Sequence, residues 1–215
     1  MRRVPTATEV RLAVGEHLSP GRAAHVGRVA AAAMQLADTH GLRRDWAELA
    51  GLLHDWYREV PFPEIVSLAR ACGAVPAGVA EAQIVPAALH GPVAARLLPQ
   101  RWPDLPPEVL VAIDRHTTGD PEMTAFDCLL YVADLIEPGH TFAGVEGPRA
   151  AAARDLGEAA RLGMEATIER LLHRGAPIDP RTVAARNALL ARAATRSRGS
   201  SRPLPAPGAT GAGVR

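Results

Sequence analysis

The chain has 215 residues, 47% of them hydrophobic and 4% aromatic, with a formal net charge of +1. That length suits one fair-sized domain, or one domain with a tail. The balanced charge offers no broad basic field for nucleic acid or an anionic membrane, and no apolar run is long enough to cross a bilayer.

Glu9 and Arg11 interrupt any secretory leader at the N-terminus. Cys72 and Cys128 lack metal-type spacing and read as small buried hydrophobes in a reducing compartment. Both features lead to the expectation of a cytoplasmic protein.

The periodicity is helical nearly throughout, without convincing strand alternation. The first predicted helix starts at Ser19 as N-cap with Pro20 in its first turn, and closes at Gly41. The next takes Asp45 as N-cap, with Glu48 three residues on, and runs through "AELAGLLHDWYREV" to stop before Pro61. Shorter helices are expected around 63–72, 78–84 and 86–98. "PPEVLVAIDRHTTG" opens on prolines and ends at Gly119, and "TAFDCLLYVADLIEPG" opens on Thr124 and Asp127 in capping-box positions and ends at Pro138. Two further helices are expected over roughly 148–174 and 180–195. Residues 196–215, rich in Gly, Ser, Pro and Arg, read as a disordered tail behind a domain over 1–195. The fold class predicted is all-α.

Five places interrupt the apolar helix faces with polar residues. His25 lies among Val26, Val29, Ala30 and Ala33; His54 and Asp55 follow "AGLL"; His90 follows "PAAL"; His116 follows "EVLVAIDR". Asp134 sits in "LLYVADLI", where burying an ionised carboxylate is costly without a cation or a strong partner. A lone helical histidine is more often a hydrogen-bonded core or helix-end residue than a ligand, and His17, His40 and His173 fit that description. Four histidines and two aspartates on apolar faces of one small domain fit it poorly. A helical bundle can gather such side chains at its centre, and imidazole with carboxylate suits iron, zinc or manganese. Adjacent helical residues point about 100° apart, so His54 and Asp55 would straddle a face, with Asp55 able to span toward a second ion.

The order H…HD…H…H…D at these positions resembles the HD-domain superfamily of metal-dependent phosphohydrolases. The blocks "AGLLHDWYRE", "LHGPVAARLL", "AIDRHTTG", "MTAFDCLLYVADLIEPG" and "TFAGVEGPR" narrow the resemblance to the YqeK family, the symmetrical bis(5'-nucleosyl)-tetraphosphatases, over about Leu18 to Leu190. The resemblance implies an HD-type helical bundle with a central site for divalent metal, two ions in number. Iron is the expected ion, with manganese, zinc, cobalt or magnesium as substitutes. It implies His25, His54 and Asp134 on one ion, His90 and His116 on the other, and Asp55 bridging both. The reaction implied is attack of a metal-bridging hydroxide on an inner phosphorus, so that diadenosine tetraphosphate yields two ADP.

His54, Asp55 and Arg58 are then the catalytic candidates, and Arg22, Arg58, Thr117, Thr118, Gly119, Glu137 and His140 the substrate-binding ones. Asn187 matches a family asparagine on the last helix. Two positions depart from the family pattern: Arg58 stands where lysine is usual, and His140 where arginine is usual. Arginine keeps the charge with a planar fork, whereas histidine is neutral or partly charged near pH 7. The expected partner is a small-molecule dinucleoside polyphosphate, with no nucleic acid and no membrane, and a homodimer left open. Alternatives are an HD phosphohydrolase acting on a nucleoside mono- or triphosphate or a guanosine polyphosphate, and a nucleotide-binding protein without catalysis.

Overall fold

The computed structural model describes residues 3–75 and 85–200, the last five without side chains. Ten α-helices and no strand occur among the described residues: α1 Ala7–His17, α2 Pro20–His40, α3 Arg44–Leu53, α4 Phe62–Ala71, α5 His90–Arg101, α6 Pro107–Arg115, α7 Ala125–Ile136, α8 Glu146–Ala152, α9 Leu156–His173 and α10 Pro180–Ser200. A 3-10 turn, Pro86–Ala88, leads into α5. No helix among the described residues is long and apolar enough to cross a membrane. Cys72 is half-buried and Cys128 buried, and no disulfide joins them.

Helix α2 lies at the centre, packed on α3 and α7, and α7 packs in turn on α6 and α9. The main core is built from Val26, Val29, Ala30 and Ala33 of α2, Leu49, Leu52 and Leu53 of α3, and Leu129, Leu130 and Val132 of α7. A smaller cluster joins Ile65, Val66 and Ala69 of α4 to Leu89 and Val93.

Several boundaries agree with the caps that predict them. Ser19 caps α2, Gly41 closes it at φ 65°, and Thr124 forms a capping box with Asp127 at the start of α7. Other elements differ. Helix α1 was not expected, yet Thr6 and Glu9 form a reciprocal capping box and Val10, Ala13 and Val14 supply a buried face. Glu9 thus helps to start a helix. Helix α3 begins at Arg44, so Asp45 is inside its first turn, bound to Arg43 at 2.6 Å. Glu48 pairs instead with Arg11 of α1 at 2.7 Å.

Helix α3 also stops at Leu53 rather than before Pro61. Beyond it the chain tightens, Trp56 N–H donating to Leu53 O and Arg58 N–H to Asp55 O. His54 and Asp55 therefore occupy a turn with a larger angular step than an α-helix. The span expected as one helix over 148–174 is two, because Asp155 caps α9 by accepting from Glu158 N–H. The last helix continues to Ser200. The helix expected over 78–84 and the tail beyond 200 lie outside the described residues.

Candidate active site

The end of α3 sets the site's geometry. His54 Nδ1–H donates to Gly51 O at 2.8 Å, which leaves Nε2 as the bare lone pair. That nitrogen is fully buried and has no hydrogen-bond partner. A buried acceptor facing other polar groups without a donor is costly. A cation at that point would satisfy it.

Five more donor-bearing side chains converge around it, each delivered by a different piece of backbone. His25 comes from the second turn of α2, Asp55 from the turn after α3, His90 from the first residue of α5, His116 from the end of α6 and Asp134 from the last turn of α7. His25 Nε2 stands 3.2 Å from Asp134 Oδ1 and 3.5 Å from Asp55 Oδ2. His54 Nε2 is 3.5 Å from the same Asp55 oxygen. The other Asp55 oxygen, Oδ1, is 3.0 Å from His90 Nε2 and 3.9 Å from His116 Nε2. One carboxylate thus presents its two oxygens to two different groups of imidazoles. His116 Nδ1 is satisfied by Ile113 O at 2.7 Å, so its Nε2 also carries a lone pair, and it faces His90 Nε2 at 2.9 Å. Donor atoms in each of the triads His25–His54–Asp55, His54–His116–Asp134 and Asp55–His90–His116 lie within 4.8 Å of one another. These donors fit divalent metal.

The electrostatics follow from the crowding. Burial raises the Asp55 carboxyl, but the surrounding imidazoles outweigh it and hold the group well below the carboxylate range. Burial opposes a carboxylate at Asp134 too, and His25 brings it down to about 2. Burial, with His90 and His54 as neighbours, depresses His116 to about 3, and burial also lowers His90. Neutral His90 and His116 are the ligand forms of imidazole. His25 is the exception: burial lowers it, yet Asp134, Asp55 and Glu137 together raise it.

Glu137 lies beneath the cluster rather than in a cavity wall. It is 1% exposed and accepts from Arg28 Nε at 2.6 Å, from Gly139 N–H at 2.6 Å and from His25 Nδ1 at 3.2 Å. Burial raises it, and Arg28 and Gly139 bring it down to about 2. Its contact with His25 fixes which ring nitrogen faces the cluster, as outer carboxylates do for metal-bound histidines.

Above the cluster opens a cavity of about 820 Å³. Arg22, Arg58, Thr117, Thr118 and His140 line it, as do His25, Asp55, His90, His116 and Asp134. Arg22 Nη1 donates to Asp55 Oδ2 at 2.7 Å, and Thr117 Oγ1 lies 3.1 Å from His116 Nε2. Gly119 is not in the lining. It adopts φ 71°, and a Cβ there would meet Met164 at 2.4 Å and Ala185 at 2.9 Å, so it turns the chain against α9 and α10. Asn187 is exposed on α10, beside Arg186, and does not reach the cavity.

The family model of the HD domain matches residues 22–139. The chain is similar to the protein named symmetrical bis(5'-nucleosyl)-tetraphosphatase from Bacillus subtilis, 32% identical over 81% of this chain and 92% of that one. It is equally similar to the protein of that name from Halalkalibacterium halodurans, 33% identical over 82% and 93%. The crystal structure of a predicted HD superfamily hydrolase involved in NAD metabolism from Clostridium acetobutylicum superposes with a TM-score of 0.80. That protein is 29% identical, over 88% of this chain and all of its own.

Proposed function

The chain belongs to the HD-domain family, among the relatives of the symmetrical bis(5'-nucleosyl)-tetraphosphatases, and from that membership we propose that it is a divalent-metal hydrolase of dinucleoside tetraphosphates. Diadenosine tetraphosphate and water would give two ADP. The observation that carries the reading is the buried, unpartnered Nε2 of His54, packed behind a cavity lined by His25, Asp55, His90, His116 and Asp134.

In this reading His25, His54 and Asp134 would hold one ion, His90 and His116 the other, and Asp55 would be shared between them. When bound, such ions acidify water and neutralise charge on phosphoryl oxygens. Iron is the proposed ion by family resemblance. The imidazole–carboxylate donor set suits manganese, zinc or cobalt as well, and magnesium least.

The chain's own residues supply the rest. Arg22 and Arg58 at the cavity wall offset the charge of the departing nucleotide phosphate, which needs little proton assistance. Arg22 meanwhile restrains the Asp55 carboxylate. The Thr117 hydroxyl beside His116 Nε2 is a polar contact for a phosphoryl oxygen. The reaction is set in the cytoplasm.

The product assay tests the activity. Purified metal-loaded protein with diadenosine tetraphosphate should form ADP alone. ATP plus AMP would refute symmetrical cleavage, and turnover of mononucleotides only would favour another HD phosphohydrolase.

Glu137 is assigned to orienting His25 instead of touching substrate. Glu137→Gln keeps the shape but removes the charge that holds the His25 ring and Arg28. Metal affinity is expected to fall by about 10–100-fold, while KM measured at saturating metal stays within twofold of wild type (about 0.4 kcal/mol). A large KM increase with unchanged metal affinity would return Glu137 to the substrate.

A further inference from the structure

The cavity extends well past the metal-ligand cluster. Its far arm is lined by Phe142, Thr167, Arg170, Leu171 and Arg174. A line of rings leads there: His140 is 5.5 Å from His25 and 6.4 Å from Phe142, centroid to centroid. The Arg170 guanidinium carbon lies 5.7 Å from the Phe142 centroid, a cation–π contact that aims the side chain. Arg174 follows four residues later, at the C-cap of α9, on the same face.

Cations at a helix C-terminus complement its dipole, and that accounts for charge at this end of α9. It does not account for direction. His173, in the same turn, points to Glu169 on the open surface, whereas Arg170 and Arg174 line the cavity. Nearby arginines are tied to carboxylates: Arg161 to Glu158 and Glu165, Arg186 to Glu165, and Arg181 to Asp179. Asp179 itself lines this arm but is engaged by Arg181 at 2.8 Å. Among the described residues, Arg58, Arg170 and Arg174 line the cavity without a carboxylate partner, whereas Arg101, Arg154 and Arg192, which also lack one, lie outside its lining. Uncompensated guanidinium groups around a concave space attract and orient polyanions.

We propose that Arg170 and Arg174 grip the half of the dinucleotide lying beyond the attacked phosphorus, with Phe142 holding Arg170 in position. This rests on the tetraphosphatase reading above. The grip makes a dinucleotide, which reaches both the cluster and the far arm, a better substrate than a mononucleotide, which reaches only one.

The test uses manganese-loaded full-length protein and the Arg170→Ala/Arg174→Ala double variant. Both side chains are exposed at positions that pack no core, so the fold should tolerate the change. KM for diadenosine tetraphosphate should rise by about tenfold or more, with the loss falling on KM rather than kcat. Calorimetric affinity for inorganic tripolyphosphate should weaken in parallel. Arg43→Ala/Arg44→Ala, which removes two positive charges far from the cavity, should change neither. Unaltered KM and unaltered tripolyphosphate affinity in the Arg170/Arg174 variant would overturn the proposal. A raised KM with unaltered tripolyphosphate affinity would also overturn it, assigning the arm to a nucleoside instead of phosphates. If wild-type protein fails to turn over the dinucleotide, the activity reading falls, and the tripolyphosphate titration still decides the grip.

Discussion

Replacing His54 and Asp55 together by alanine is expected to abolish hydrolysis and metal retention while leaving the helical fold in place. Asp55 is the residue through which the two groups of imidazoles communicate, with Oδ2 facing His25 and His54 and Oδ1 facing His90 and His116. Outer partners of metal ligands typically cost about 10–100-fold in affinity or activity, so losing two of the proposed ligands should exceed that range. The thermal signature separates this from simple misfolding. With metal at about 100 times its Kd, binding to the native state contributes about 2.7 kcal/mol, and a chain of this size gains about 2–4 °C per kcal/mol. Wild-type Tm should therefore rise by about 5–10 °C on adding metal, and the double variant should not respond. The variant's unliganded form need not be weaker, because it no longer buries a carboxylate among imidazoles. Retention of a tenth of wild-type turnover, or of a metal-dependent Tm, would remove these two residues from the centre of the site.

Gly51→Val should destabilise the fold and loosen the site in one step. Helices α2 and α3 cross at this glycine, where an added Cβ would lie 2.5 Å from Ala30 Cα and 2.7 Å from Ala30 N. These are backbone atoms, so no rotamer change relieves the clash and the helices must separate. Overpacking of this kind costs about 1–3 kcal/mol, at times more, or roughly 2–12 °C in Tm. The site feels the change through both sides of the contact. Gly51 O holds His54 Nδ1, and Ala30 is on the helix that carries His25. Metal affinity should fall together with the denaturant midpoint, and Gly51→Ala should show both effects in smaller degree. An unchanged midpoint in the valine variant would mean that α2 and α3 do not cross as described.

Much of this architecture was legible from local pattern. A capping residue acts within one turn, so Ser19, Gly41 and Thr124 announced their helix ends. Where two signals compete, local pattern misplaces the boundary. Asp45 looked like a cap because a carboxylate favours any position in the first turn, and only the neighbouring Arg43 pairing shows where the helix begins. Thr6 with Glu9, and Asp155 before Glu158, carry the same capping chemistry, but stronger apolar runs on either side mask it.

The amino-acid sequence by itself determined the all-helical class and which polar side chains interrupt buried faces, since a charge among Val, Leu and Ile is costly wherever the helix ends up. It marked His25, His54, Asp55, His90, His116 and Asp134 as an ensemble needing explanation. Tertiary structure alone decided how they face one another. His25 meets Glu137 across 112 residues of chain, a separation on which no helical periodicity bears. The burial of Glu137 under the cluster, the division of the Asp55 oxygens, and the turning of Arg170 and Arg174 into the cavity all depend on helix packing angles. Those angles arise from contacts such as Gly51 on Ala30, between segments whose local sequences are independent of each other.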